Sequence, residues 1–178
     1  ATVFGTSRIP VREALRVLEY EGLAESEPNR GFAVTSLDAD QIEEVYDLRV
    51  VLESHATRLA IPLLTERDIA DLEDLYRAMQ ESDGPDARLA NRERFYLRLY
   101  GVTARPRLVG LIGRLRQEVA RSLRSQMVHD SPANHQAYFD AIKRGDADGA
   151  CEELATHYRK VAALLRRFLR EAKSAQPD

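Results

Sequence analysis

Apolar side chains recur at a spacing of three or four residues along most of this chain, which predicts a mainly helical protein. The first such period follows the stretch TSRIP and consists of Val11, Ala14, Leu15 and Leu18. A proline at the first position of a helix loses no hydrogen bond, so Pro10 is predicted to mark a helix start. Residues 5–9 are predicted to form a tight turn after an earlier helix that ends at Val3 and Phe4. Together they make a helix-turn-helix.

The pattern then changes to two short extended segments. Leu23 to Glu27 is predicted to pair with Phe32 to Thr35 across the turn residues 28–31. This hairpin would form a wing beside the helix-turn-helix. Helical periods resume at Ser36 without a further strand signal, which places a domain boundary near residues 36–38. We therefore predict one domain over residues 1–37 and a second over residues 38–178.

The second domain is predicted to be an all-α antiparallel bundle of six helices. Capping residues precede the first two helices: SLDADQ before the first, and Thr65 with Asp68 before the second. The segment DGPD separates the second helix from the third, and GDAD separates the fifth from the sixth. The first predicted helix follows SLDADQ and ends at about residue 62. The next three span about 65–82, 87–102 and 106–127. The fifth runs from 131 to the break at 145–148, and the sixth from that break to about 172. The fold class is thus mainly α, with a partial winged helix-turn-helix followed by this bundle.

Composition narrows the functional classes. With 44% hydrophobic and 31% charged residues and few Gly or Pro, the 178-residue chain is typical of a helix-rich globular protein. Cys151 is the single cysteine, so no internal disulfide forms. Neither a signal peptide nor an 18-residue apolar run is present, which favours the cytoplasm and no membrane partner. A net charge of −3 means that any nucleic-acid binding depends on charge placed locally.

Such a local arrangement occurs at the first helix. Val11, Leu15 and Leu18 are predicted to face inward, which leaves Arg12 and Arg16 outward. Backbone donors at a helix start suit phosphates, and arginine can read guanine edges in the major groove. The alternative is an ordinary charged helix surface, since residues 1–37 hold four arginines and five glutamates. The predicted DNA-binding residues are Ser7, Arg8, Arg12, and Arg30 with Gly31 at the wing tip.

These stretches resemble a known family. FGTSRIPVREALRVLEYEGL followed by PNRGFAV resembles the winged helix-turn-helix of the GntR family of bacterial transcription regulators. YDLRVVLE, FYLRLY, ARPRLV and NHQAYFDAIKRGD resemble the C-terminal effector (FCD) domain of its fatty-acid-regulator subfamily. The resemblance implies a ligand-responsive regulator that binds operator DNA as a homodimer. It also implies that the first helix of the DNA-binding domain, and most of the second, precede Ala1, and it leaves Ile9 where a Thr is usual.

Helical spacing also predicts polar residues inside the bundle. Arg49 lies four residues after Val45 and seven before Ala56, in the middle of the apolar stripe, with Glu53 one turn on. Three further helices repeat the pattern with Arg92, His135 and His157. Facing helices of a bundle commonly enclose a small ligand. The alternatives are core histidines with satisfied hydrogen bonds and a structural Arg49–Glu53 pair.

The resemblance implies a metal site in many members of this subfamily, built from an Asp and a His four residues apart plus one His on each of the last two helices. His135 and His157 match the latter pair, whereas Arg92 and Tyr96 occupy the former positions. An arginine repels a cation, so we expect an incomplete site and no required metal, although zinc or nickel is the metal to test.

Without a metal, arginine can hold an acid directly, because its planar fork matches a carboxylate. The predicted effector is therefore a small carboxylate, and the predicted ligand-binding residues are Arg49, Arg92, Tyr96, His135 and His157. Two other classes stay open: a helical-bundle metal-dependent enzyme and a ligand-free interaction module. The chain has no HExxH, nucleophile elbow or phosphate loop that would favour an enzyme.

Overall fold

The structure is a computed structural model that describes residues 5, 7–20, 24–27, 31–34, 37–125 and 135–174. The chain divides into two compact units, Ala1–Ser36 and Leu37–Asp178. None of the helices in the described part combines the length and apolar character that crossing a bilayer requires.

The first unit contains one described helix and one described hairpin. Helix α1 spans Arg8–Tyr20, strand β1 Ala24–Glu27 and strand β2 Gly31–Val34. The strands are antiparallel, with Ala24 opposite Val34 and Glu27 opposite Gly31. The predicted wing hairpin is therefore present, but Gly31, predicted to lie in its turn, begins β2. The other predicted turn residues, 28–30, and the predicted end of an earlier helix at 3–4 lie outside the described residues.

Helix α1 begins earlier than predicted, and one of its apolar residues is more exposed than predicted. It begins two residues before Pro10, so Arg8 and Ile9 are helical and do not belong to a turn. Proline fits there because the N–H groups of the first helical turn have no intrahelical partner. Leu18, predicted to face inward, is 38% exposed. Val11 and Leu15, on the same face, are half-buried.

The described part of the second unit contains six α-helices, as predicted. They are α2 (Ala39–Ala60), α3 (Glu66–Gln80), α4 (Pro85–Gly101), α5 (Pro106–Ser125), α6 (Gln136–Lys143) and α7 (Ala147–Ser174), with a short 3₁₀ turn at Ile61–Leu63. The predicted mainly α fold is confirmed. The predicted start of the fifth helix, at 131–134, lies outside the described residues.

Local sequence explains where the helices begin. The Asp38 side chain accepts hydrogen bonds from the backbone N–H groups of Asp40 and Gln41, and the Gln41 side chain accepts one from the Asp38 N–H. Thr65 and Asp68 form the same reciprocal arrangement before α3, which confirms the predicted capping box. Caps of this kind satisfy backbone donors that a helix start leaves without partners.

The core of the second unit forms around α2. Helix α2 packs mainly against α7 and also against α5, α3 packs on α4, and α6 packs on α7. One part of the core is aromatic, with Tyr76 stacked on Phe139 at a centroid distance of 5.0 Å and Phe95 edge-on to both. The other part holds buried charge, namely Arg49, Glu53 and Arg116, and it is this part that positions the candidate site.

Candidate functional site

A buried carboxylate, Glu53, lies at the centre of the bundle. Its Oε1 accepts a hydrogen bond from Arg49 Nε at 2.9 Å. Its Oε2 accepts three more, from Arg116 Nη1 at 2.8 Å, the Tyr100 hydroxyl at 3.0 Å and the Tyr158 hydroxyl at 2.8 Å. These donors come from α2, α4, α5 and α7, so a single side chain joins four helices.

The surroundings keep Glu53 ionised. Burial by itself would raise the pKa of the Glu53 carboxyl, but the guanidinium groups of Arg116 and Arg49 lower this pKa below its ordinary value. Burial raises the pKa of Tyr100 and Tyr158, so both phenols stay protonated and donate. The centre of the bundle therefore holds one anion between two cations, and the hydrogen bonds fix their geometry.

Both buried arginines also lie over aromatic rings. The guanidinium carbon of Arg49 is 4.1 Å from the centroid of the Tyr158 ring, and that of Arg116 is 3.6 Å from the Tyr96 ring. A cation over the face of a buried ring gains electrostatic stabilisation in addition to its ion pairs. These contacts hold each guanidinium in a fixed orientation.

The two predicted histidines lie together beside Tyr96. The ring centroids of His135 and His157 are 4.5 Å apart, and the Tyr96 hydroxyl is 3.3 Å from His135 Nδ1. All three side chains are buried. The structure thus brings together three of the five predicted ligand-binding residues.

This histidine cluster does not fit a tight divalent metal site. Its described donors are two imidazoles and a phenol, and the positive charge of Arg116 lies directly on the Tyr96 ring. In the described part of the chain, no group of three or more His, Cys, Asp and Glu side chains is placed to hold a metal ion. Two imidazoles fall short of the three or four protein ligands that zinc usually has.

A separate cavity of about 370 Å³ opens between α2, α4 and α5. The described residues that line it are Arg49, Leu89, Ala90, Arg92, Glu93, Arg116, Gln117, Ala120 and Arg121. Arginine is the most frequent of these, with four side chains against one carboxylate. Even when Glu53, the partner of Arg49 and Arg116, is counted with Glu93, positive charge is in excess, and the chemistry that suits this wall is the binding of an anion.

The five predicted ligand-binding residues do not line one cavity. Arg49 and the half-buried Arg92 line the cationic cavity, whereas Tyr96, His135 and His157 are not among its lining residues. The physical reason is Arg116. Its guanidinium lies over the ring of Tyr96 and itself lines the cavity, so it separates Tyr96 from the open space.

Sequence reasoning missed Arg116, Arg121 and Glu93. A signal for Arg116 was present, because it lies four residues after Ile112 and three before Val119, which are both buried. This is the same spacing argument that identified Arg49. Arg116 also pairs through Nε with Glu93 Oε2 at 3.2 Å, so one side chain connects the buried carboxylate to the cavity wall.

The predicted DNA-binding residues lie at the start of α1 and at the hairpin. Ser7 directly precedes α1, and both it and Arg12 are exposed. Gly31 begins β2 with a positive φ of 98°, a conformation that favours glycine. Arg30 and the Arg8 side chain lie outside the described part of the chain.

Comparisons with known proteins agree with this architecture. The family model described as "FCD domain" matches residues 44–160, and the one described as "Bacterial regulatory proteins, gntR family" matches residues 1–34. The chain is 26% identical to the uncharacterized HTH-type transcriptional regulator YdhC of Bacillus subtilis (strain 168), over 97% of this chain and 81% of that protein.

Solved structures give the same result. A transcriptional regulator of the GntR family from Pseudomonas syringae pv. tomato str. DC3000 is 31% identical with a TM-score of 0.69, over 96% of this chain and 75% of that one. E. coli McbR/YncC is 27% identical with a TM-score of 0.75, over 94% and 84%. GntR regulators bind operator DNA, typically as dimers, and are not enzymes. The chain belongs to the GntR family of bacterial transcription regulators and carries an FCD domain.

Proposed function

We propose that this regulator senses a small organic acid in its helical domain, residues 38–178, and binds operator DNA as a cytoplasmic homodimer through residues 1–37. The observation that supports an acidic ligand is the cationic cavity, whose described wall holds four arginines and one glutamate. An acid that binds there needs no metal, because guanidinium groups supply the positive charge.

The chemistry of the wall favours a compact polar anion. Guanidinium donors match the two oxygens of a carboxylate in a planar, bidentate arrangement. The apolar residues in the described lining are Leu89, Ala90 and Ala120, which offer little surface to a long hydrocarbon chain. Amines are repelled by the arginines, and neutral sugars gain no ion pair. A carboxylate metabolite with a short carbon skeleton fits the site best.

For the DNA side, the accessible start of α1 supports the assignment of Ser7, Arg8 and Arg12. Backbone N–H groups at a helix N-terminus bind phosphate, and an arginine in the first turns can reach base edges in the major groove. Arg30 and Gly31 are proposed to contact the neighbouring groove or backbone. Binding of the acid is expected to change operator affinity by a coupling free energy of about 1 to 3 kcal/mol.

A ligand screen tests the proposal. Acetate, succinate and citrate are compared with an amine and a neutral sugar by thermal shift, on the wild type, on Arg92→Ala and on Arg94→Ala. Arg94 is the matched control because it is an exposed arginine of α4 that is not among the described cavity residues. We expect an acid to stabilise the wild type and Arg94→Ala and to stabilise Arg92→Ala much less. An uncharged ligand as the stabiliser, or an acid that stabilises Arg92→Ala equally well, would overturn the proposal.

A further inference from the structure

We propose that Glu93 is an internal competitor of the effector: its carboxylate occupies Arg116 in the ligand-free protein, and an incoming acid displaces it and binds the same edge of that guanidinium. This inference rests on the proposed function, since it concerns the same cavity. In this proposal Arg116 binds the acid, and Glu93 determines how tightly and how selectively the acid binds.

The hydrogen bonds of Arg116 define which edge is open to exchange. Nη1 donates to Glu53 and to the Tyr158 hydroxyl, at 2.8 and 3.1 Å. Nε donates to Glu93 Oε2 at 3.2 Å. Within the described residues, Nη2 has no hydrogen-bond partner. Nε and Nη2 share one edge of the planar guanidinium, and this edge can bind a carboxylate through two parallel hydrogen bonds.

Glu93 uses one of the two donors on that edge. An acid that entered the cavity and contacted both Nε and Nη2 would form one more hydrogen bond with Arg116 than Glu93 does. Charge-assisted hydrogen bonds are roughly twice as strong as neutral ones, so this additional bond favours the exchange. A chloride ion offers a single acceptor atom to this edge and cannot form two parallel hydrogen bonds with it. The exchange therefore favours anions with two acceptor oxygens, such as carboxylates, over halides.

Of the two carboxylates on Arg116, Glu93 is the one that can leave. Glu53 has no exposed side-chain area and accepts four hydrogen bonds, so its release would strand a buried charge. The Glu93 side chain is 30% exposed, so its carboxylate is already partly hydrated. Its displacement requires a rotation of one side chain at the cavity wall and leaves the Glu53 network in place.

The four arginines of the described wall can compensate the charge of the displaced Glu93 carboxylate as well as that of the acid. When the acid binds, the cavity holds two carboxylates, that of the ligand and that of Glu93, beside Arg49, Arg92, Arg116 and Arg121. Repulsion between the two anions lowers the affinity of the wild type for the acid. Removal of the charge at position 93 should therefore tighten binding, which is the opposite of what the loss of a contact residue does.

The test is the affinity of Glu93→Gln for acetate, succinate and citrate, measured by isothermal titration calorimetry. Glutamine keeps the shape of the side chain and loses its charge. We expect the dissociation constant of the acid that binds best to fall about fivefold, the factor that corresponds to an ion pair of about 1 kcal/mol. The matched control is Glu118→Gln, which removes a negative charge from α5 at a position that is not among the described cavity residues, and its affinity should equal that of the wild type.

The outcomes separate the two proposals. An acid that binds the wild type and binds Glu93→Gln equally well or more weakly overturns the competitor role and leaves the acid-sensing function in place. An equal gain in Glu118→Gln also overturns it, because a general change in charge would then explain the effect. If no acid binds the wild type or Glu93→Gln, the proposed function fails and this inference fails with it. Tighter binding by Glu93→Gln alone supports both.

Discussion

Replacing Glu53 by glutamine keeps the size of the side chain and removes the negative charge from the centre of the bundle. The carboxylate accepts hydrogen bonds from Arg49, Arg116, Tyr100 and Tyr158. All four partners are donors, and a glutamine amide offers one acceptor oxygen and two donors of its own. The variant therefore buries two guanidinium groups beside an N–H₂ group and leaves Arg49 without its counter-ion.

The expected loss of stability follows from this geometry. Removal of one partner from a buried ion pair typically destabilises a protein by about 3 to 5 kcal/mol. Arg116 retains Glu93, which offsets part of the loss, whereas both phenols lose a charged acceptor. We therefore expect the free energy of unfolding to fall by about 4 kcal/mol. For a chain of this length each kcal/mol shifts the melting temperature by about 2 to 4 °C, so the shift is about 8 to 16 °C.

The assay is urea denaturation followed by far-UV circular dichroism. Glu73→Gln serves as control, because its ion pair with Lys143 spans 3.5 Å between side chains that are 49% and 36% exposed. Such a pair contributes less than about 1 kcal/mol. Since the pKa of Glu53 is lowered by folding, its contribution is present above the ordinary pKa of glutamate and declines as pH falls through the lowered value. A loss below about 1 kcal/mol in Glu53→Gln would refute the central role of this carboxylate.

Three further predictions follow from the capped helix, the α1 surface and the histidine cluster. Hydrogen bonds from Thr65 and Arg98 lower the pKa of Asp68 from 3.8 to about 2, so in acid titrations the wild type should be more stable than Asp68→Asn above pH 3.8 and lose that advantage as pH falls to about 2. In gel-shift assays Arg12→Ala should weaken operator binding by about 1 to 3 kcal/mol and binding to random duplex less, and equal losses would exclude base reading. By elemental analysis the protein should hold well under one divalent ion per chain, and stoichiometric zinc or nickel that is lost in His157→Ala would contradict this.

Local features of the fold were predictable because their causes lie within a few residues. The capping box of Thr65 and Asp68 depends on residues three apart, and the place of Arg49 in its apolar stripe depends on one helix alone. Both predictions are confirmed. The same argument was not extended to α5, where Arg116 lies between the buried Ile112 and Val119. Leu111, one position before Ile112, is also apolar but is 43% exposed, so apolar character alone does not identify the buried face of α5.

Other features could not be derived from any one segment. Glu53 and Arg116 are 63 residues apart, and the helical pattern of α2 contains no information about which cation of α5 will face it. Arg92 and Tyr96 were both predicted to line a ligand site because they share a helix face. The guanidinium of Arg116 packs on the ring of Tyr96 and itself lines the cavity, so Arg92 borders the cavity and Tyr96 does not. That decision is made by tertiary contacts.

The placement of Arg49 one helical turn before Glu53 has a consequence for the folding pathway. The hydrogen bonds of Glu53 to Tyr100, Arg116 and Tyr158 close loops of 47, 63 and 105 residues, and contacts that close long loops form late. The contact with Arg49 needs only the local helix, which forms within microseconds. The carboxylate thus gains a counter-ion as soon as this part of α2 is helical, without a contact to any other helix. When the other helices pack on a helical α2, the charge that they bury therefore belongs to an ion pair and is not an isolated carboxylate.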